Sequence, residues 1–350
     1  MHLSSKTIMK RLLLITCIIV GFNSARTNAQ INFVKDVSNK GTTAAAFLEI
    51  GVNARAEAMG GAYTAQRGYV DMIYWNPAGL APINNVSVTF SNTEWLANTT
   101  FNFASVAIPI PTVKSVIGAS FTTLGVPEQS VRDYDGSLTG EKYDARDFAV
   151  NFALSTHLIP KFSFGVTAKY IYQRIWSGKA IGMGFDFGVQ YETPLKGLVM
   201  GSSISNFGGD MSMSGKNLKE VIDPDKNNEG VNNIPVEYVT DEYPLPQIFR
   251  FGIAYDIDFN DYSLNTSVDL LHPSSSTESI NLGGEFGYKK LIFIRGGYQN
   301  LFERDQINGL TMGVGIQYML NNRERFVFDY ALSDWGVLGK AHRISVSIYL

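Results

Sequence analysis

One cysteine in 350 residues, a charged fraction of only 17% and no long apolar run past the first 30 positions each exclude a class of protein. The cysteine, Cys17, sits inside the N-terminal apolar stretch. A chain shortened past it has no disulfide, no thiol chemistry and no Cys-ligated metal. Charge stands well under the typical ~25%, yet nothing in the composition suggests disorder. No later stretch approaches the roughly 18 to 20 apolar residues that a membrane-spanning helix needs. What is abundant is glycine, at 33 residues, and aromatics, with Phe 22, Tyr 17 and Trp 4.

The first 29 residues have the layout of a secretory signal peptide. Lys6, Lys10 and Arg11 precede an apolar run from Leu12 to Phe22, and a polar stretch ends at Thr27-Asn28-Ala29, where cleavage is expected. The run is too short to anchor in a bilayer. Four basic residues leave with it, Arg26 being the fourth, and no acidic ones. The formal net charge thus falls from -3 by four, to -7. An acidic chain argues against nucleic acid as a partner, because phosphate binding needs an excess of Lys and Arg.

The rest of the chain alternates with period two. Phe162, Phe164, Val166, Ala168, Tyr170 and Tyr172 interleave with Ser163, Gly165, Thr167, Lys169 and Ile171. Successive side chains of a strand point to opposite faces, so such a strand has one apolar and one polar side. Similar segments begin near 86, 101, 114, 145, 161, 181, 196, 247, 261, 279, 290, 309, 324 and 341. About fourteen strands of roughly ten residues predict an all-β fold, a transmembrane antiparallel β-barrel over residues 86–350. A soluble sandwich or β-helix is the alternative. It does not account for a polar face that mixes glycine with Asp186, Arg250, Asp256, Asp269, Glu285, Arg295, Arg325, Asp329 and Arg343. Those charges are expected in a wet, partly filled lumen, pairing across it. Connections also alternate, short at 110–113, 158–160, 193–195, 259–260, around 289 and 321–323, long at 125–144 and 207–246. That sorting predicts periplasmic turns, extracellular loops and both termini in the periplasm of an outer membrane.

Residues 30–85 lack this alternation. Helical stretches at 44–50 and 55–59 are broken by glycines at 51, 60 and 61, and Trp75-Asn76-Pro77-Ala78-Gly79 has turn chemistry. A periplasmic cap and a plug inside the lumen both fit; a barrel this wide needs filling unless it is a channel, which favours the plug.

FLEIGVNARAEAMGGAYTA followed by MIYWNPAGLA resembles the N-terminal signature of the PorV/PorQ family of outer-membrane proteins, relatives of FadL-like fatty-acid transporters. The matching positions are Phe47, Leu48, Ile50, Ala54, Arg55, Ala56, Met59, Gly60, Trp75, Asn76, Pro77 and Ala78; Gly51-Val52-Asn53 and Gly61 depart from the PorV pattern and point to a paralogue. The resemblance implies a FadL-like 14-stranded barrel with an N-terminal plug. It also implies a non-enzymatic role in type IX secretion, with a translocon barrel and the C-terminal domains of secreted cargo as partners.

Nothing in the chain suggests catalysis, a cofactor or a metal. His157, His272 and His342 lie far apart and share no ligand spacing. No Gly-x-Ser-x-Gly elbow supports a hydrolase. Asp223, Asp225, Asn227 and Glu229 are oxygen-rich, but Pro224 and the missing twelfth-position Glu break the EF-hand pattern, so a solvated loop is expected. The same loop carries Val236, Tyr238, Val239, Tyr243 and Leu245, a candidate surface for a protein partner. Three function classes remain: a secretion-system barrel, a FadL-like transporter of hydrophobic molecules and a porin. Membrane lipid is a partner in all of them.

Overall fold

The computed structural model describes residues 39–223, 234–304, 306–320 and 324–350. The expected signal peptide and most of the Asp/Asn-rich stretch lie outside them.

Fourteen long strands form a closed antiparallel barrel. They are β1 (Ser87–Glu94), β2 (Thr100–Ile110), β3 (Ser115–Arg132), β4 (Leu138–Ile159), β5 (Phe162–Ile175), β6 (Gly178–Glu192) and β7 (Leu198–Gly208). The second half comprises β8 (Ile248–Phe259), β9 (Tyr262–Pro273), β10 (Ser279–Tyr288), β11 (Ile292–Leu301), β12 (Leu310–Met319), β13 (Arg325–Asp334) and β14 (Lys340–Tyr349). Each strand pairs with the next, and β1 pairs with β14 from Ser87 opposite Tyr349 to Glu94 opposite His342. No edge is left unpaired, which is what lets a sheet lie in lipid.

Burial along the strands inverts the soluble pattern. In β1, Ser87, Thr89, Ser91 and Thr93 are buried, whereas Phe90 is 53% exposed. The same holds in β14, where Arg343, Ser345 and Ser347 are buried and Ile344 and Val346 exposed. Polar residues therefore face inward, and the apolar ones form the outer surface expected to meet lipid.

One expectation fails in detail. Residues 125–144 are not a long loop: β3 and β4 run on as a hairpin, with Gln129 opposite Tyr143, Ser130 opposite Lys142 and a turn at 133–137. Both faces of this extension are exposed, so no apolar face imposes the alternation by which strands are read. The Glu128–Lys142 ion pair, at 2.9 Å, crosses it. Length asymmetry between the two barrel ends therefore rests mainly on 209–247, since 176–177 on the same side is a two-residue turn.

Residues 39–85 lie inside the ring. They contain a 3-10 turn (Ala46–Glu49), helix α1 (Ala54–Ala58), helix α2 (Met72–Trp75) and a second 3-10 turn (Pro77–Leu80). The starts of α1 and of the second 3-10 turn are capped locally: Asn53 Oδ1 accepts from the Arg55 N–H and Asn76 Oδ1 from the Ala78 N–H. The main apolar core is here, with Val52, Met59, Tyr63, Ile73, Trp75 and Leu80 against Phe101 and Phe103 of β2 and Val116 of β3. The inward glycines provide the clearance for this segment. A Cβ on Gly165 of β5 would collide with the backbone of Pro77 and Ala78. Gly60, at φ +66°, lies against the backbone of Leu282 and Tyr298.

Candidate lumen site

Most of the lumen charges are buried, and they pair both with the inner segment and with one another along the wall. Arg55, on α1, makes a two-pronged contact with Glu285 of β10, Nε to Oε2 at 2.8 Å and Nη2 to Oε1 at 2.9 Å. Its Nη1 donates to the Tyr63 hydroxyl at 2.7 Å, and its guanidinium lies 4.0 Å from the Tyr69 ring centroid. Glu285 also accepts from Arg295 Nε at 2.5 Å, and Arg295 Nη1 reaches Asp329 at 2.7 Å. Two residues along α1, Glu57 pairs with Arg343 of β14 at 2.9 Å and accepts from Gln299. Charge-assisted, two-pronged bonds of this kind fix orientation as well as position.

The remaining lumen charges hold other parts. Asp269 accepts the backbone N–H groups of Tyr63 and Thr64, both at 2.8 Å. Asp186 pairs with Lys169 at 2.8 Å and accepts the N–H of Asn206, at a bulge where β6 and β7 slip register. Asp256 accepts from Asn265, and Arg325 lies 3.8 Å over the Tyr349 ring. Arg250 of β8 differs: it forms no ion pair among the described residues, its Nη1 donates to Ser205 Oγ at 3.0 Å, the Tyr74 hydroxyl is a second partner, and its Nε has none.

The twelve positions of the N-terminal signature hold the inner segment together and against the wall. Phe47 and Leu48 pack with Ala149, Ile171, Met211 and Leu245, and half-buried Ile50 joins that cluster to the main core. The Ala54 N–H donates to Ser345 Oγ at 3.2 Å, while Ala56 and Met59 are fully buried. Trp75 Nε1 donates to the Val52 carbonyl, and Asn76 Nδ2 donates to the carbonyls of Thr64 and of Val189 on β6. Pro77 and Ala78 abut Gly165, and Ser155 Oγ donates to the Ala78 carbonyl.

The candidate partner loop divides. Val236 belongs to a small pairing of Ile234–Glu237 with Lys219–Ile222, and Tyr238, Val239 and Tyr243 are exposed. Leu245 is fully buried against Phe47 and Leu48, so it belongs to the lumen core and not to an outer surface. Spacing alone cannot separate Leu245 from its neighbours, because the loop has no period to read.

Several lumen residues carry no signal that singles them out in the sequence. Lys169 shares the polar strand register of the other lumen charges, whereas Glu57, Tyr63 and Asn206 are isolated polar positions until the fold brings their partners. Asp71, before α2, is another: it is buried, its Oδ2 has no hydrogen-bond partner, and burial pushes its carboxyl up to about 7.

Two cavities flank α1. On the loop side a space of about 400 Å³ is lined by Tyr74, Trp75, Trp95, Trp335 and Arg250, with Ser, Thr and Asn side chains around its rim. Towards the turns, about 40 Å³ remains among Arg55, Tyr69, Asp71, Arg325 and Tyr349. The helix pinned by Glu285 and Arg343 stands between them. Among the described residues no group of three or more His, Cys, Asp or Glu is placed to hold a metal ion. The three histidines among the described residues are dispersed, His157 on Ser163, His272 on Glu278 and His342 on Tyr330.

No protein-family model and no curated protein matches this chain. Solved structures do. The Pseudomonas putida toluene transporter TodX is 11% identical with a TM-score of 0.54, over 85% of this chain and 97% of that one. The Ralstonia pickettii toluene transporter TbuX is 12% identical at 0.53, with the same two coverages. The monoaromatic hydrocarbon channel CymD is 12% identical at 0.51, over 85% and 96%. At such identities the likeness is one of fold: a closed, 14-stranded, FadL-like antiparallel barrel with a few short helices at its N-terminal end.

Proposed function

We propose that this chain is an outer-membrane transporter of hydrophobic small molecules, with residues 30–85 as its plug, loops extracellular and both termini periplasmic. The observation that carries this reading is the cavity of about 400 Å³ between the inner segment and the loop-side wall. Its size falls in the range of small-molecule sites, and its aromatic walls suit an apolar body. A plain porin would leave a continuous aqueous path, whereas here α1 and its buried ion pairs interrupt the lumen. Solved barrels of the same fold include toluene transporters and a monoaromatic hydrocarbon channel, which adds support at the level of fold.

Passage then requires α1 to yield. A molecule entering from the loop side meets Trp75, Gly61 and Glu57 at the cavity floor, and the space beyond opens only if the contacts of Arg55 and Glu57 with the wall loosen. The test is uptake of labelled toluene by cells with and without the protein. Uptake that falls several-fold on deletion and returns on complementation supports transport; identical uptake in all three strains refutes it.

A secretion role is favoured by a different observation, the exposure of Tyr238 and Val239, the latter at 95%, on the longest loop. Exposed aromatic and aliphatic residues of this kind serve protein recognition. Affinity purification of the tagged chain from gently solubilised membranes separates the readings. Recovery of a large translocon barrel, or of cargo with C-terminal sorting domains, supports secretion, and lipid without protein sinks it.

A further inference from the structure

The charges lining the loop-side cavity are Lys40, Glu49, Glu57, Arg250 and Glu303. The three carboxylates are engaged. Glu57 holds Arg343 at 2.9 Å, Glu303 holds Lys40 at 2.9 Å and accepts from Ser276, and Glu49 accepts from Ser275 Oγ at 2.5 Å. Burial raises the Glu49 carboxyl, while the Ser275 hydroxyl and the charges of Arg250 and Lys40 work against that shift. Asp186, two strands away, is held by Lys169; Asp269, on the adjacent β9, accepts the Tyr63 and Thr64 N–H groups through Oδ2 and attracts Arg250 without closing an ion pair.

Arg250 is left over. It is 4% exposed and forms no ion pair with any carboxylate among the described residues; Nη1 donates to Ser205 Oγ, the Tyr74 hydroxyl is a second hydrogen-bond partner, and Nε has none. A guanidinium has five N–H donors in a planar fork, and buried donors are ordinarily satisfied. Its carbon lies 5.8 Å from the Trp75 ring centroid, and Tyr74, Trp95 and Trp335 complete an aromatic enclosure. Trp95 and Trp335 meet edge to face at 5.0 Å. A bare hydrocarbon would satisfy the rings and leave the fork unused. A carboxylate on a flat ring would satisfy both, since guanidinium and carboxylate match in two-pronged geometry.

We propose that the loop-side cavity binds a small aromatic carboxylate, its ring among Tyr74, Trp75, Trp95 and Trp335 and its carboxylate on Arg250. This inference rests on the transporter reading and narrows its substrate from hydrophobic molecules in general to aromatic acids.

Three of the four tryptophans line the cavity, so intrinsic fluorescence of the full-length protein in detergent reports occupancy. Benzoate, toluene and decanoate are titrated against the wild type, Arg250→Gln and Arg250→Lys, each first checked for heat-modifiable migration as a sign of a folded barrel. The expected result is benzoate bound at least tenfold more tightly than toluene or decanoate. Arg250→Gln should lose that preference through a fall of at least tenfold in benzoate affinity, and Arg250→Lys, which keeps the charge without the fork, should fall between. Should Arg250→Gln not fold, the benzoate-to-toluene ratio of Arg250→Lys decides, and a wild-type ratio there overturns the proposal. Toluene or decanoate binding as tightly as benzoate, or benzoate affinity indifferent to Arg250→Gln, also overturns it while leaving transport of hydrophobic molecules standing. No quenching by any of the three overturns both.

Discussion

Replacing Glu285 with Gln tests whether buried charge holds the inner segment in place. Glu285 is 7% exposed and neutralises two guanidiniums, Arg55 on the segment and Arg295 on the wall. After the substitution Arg295 keeps Asp329, while Arg55 keeps only the Tyr63 hydroxyl and the Tyr69 ring. Removing one partner of a buried pair costs about 3–5 kcal/mol, because the other charge stays desolvated. Gln retains one carbonyl acceptor, which places the expected cost towards the lower end. At ~1.4 kcal/mol per tenfold, about 3 kcal/mol shifts the equilibrium between docked and released segment by somewhat over a hundredfold. The barrel's own ladder closes without Glu285, so the loss falls on docking and not on the strands. Planar-bilayer recordings should show openings of Glu285→Gln that are rare in the wild type, with heat-modifiable migration unchanged. Adding Arg55→Gln removes the stranded charge and should recover part of the loss. Wild-type conductance for Glu285→Gln, or a double variant no better than the single one, would refute the assignment.

Two further predictions address the same docking. Gly165→Val places a side chain against the Pro77 and Ala78 backbone, and overpacking of this kind costs about 1–3 kcal/mol; Gly125→Val, with open space around it, is the control. Faster amide exchange over 72–80 in the first variant only is the expected outcome. Asp71 gives a pH dependence. Its carboxyl is raised by burial from 3.8 to about 7, so the docked state binds more protons than the released one between those values. Docking should therefore weaken as pH rises from about 4 to 7 and level off above, and Asp71→Asn should strengthen docking at pH 8. Urea titrations followed by tryptophan fluorescence at pH 5 and 8 measure both; a wild type more firmly docked at pH 8 contradicts the sign.

The strands were legible because a lipid-facing barrel needs period-two alternation over about ten residues, a local pattern that one chain displays in full. Thirteen of the fourteen strands begin within about three residues of where alternation begins. The exception, β4, starts at Leu138 because its extension has no apolar face to alternate. The identities of the lumen charges were readable for the same reason: each sits on the polar register of a strand.

What those charges do was not readable. Alternation says that Glu285 points inward, but not that it meets Arg55, 230 positions away, or that Arg343 meets Glu57. Nor does it say that, among the described residues, Arg250 closes no ion pair while Asp186 pairs with Lys169. The glycines looked like the lining of a wet pore, and in the folded chain they are where Pro77, Met59 and Gly60 press against the wall. Leu245 read as part of an outer surface and is fully buried. Side-chain direction along a strand is set by neighbouring residues, so the sequence alone determined the barrel and its two faces. Partnership inside the lumen depends on barrel closure and on the path of the inner segment, which bring distant residues within hydrogen-bond reach, and only the tertiary structure decides it.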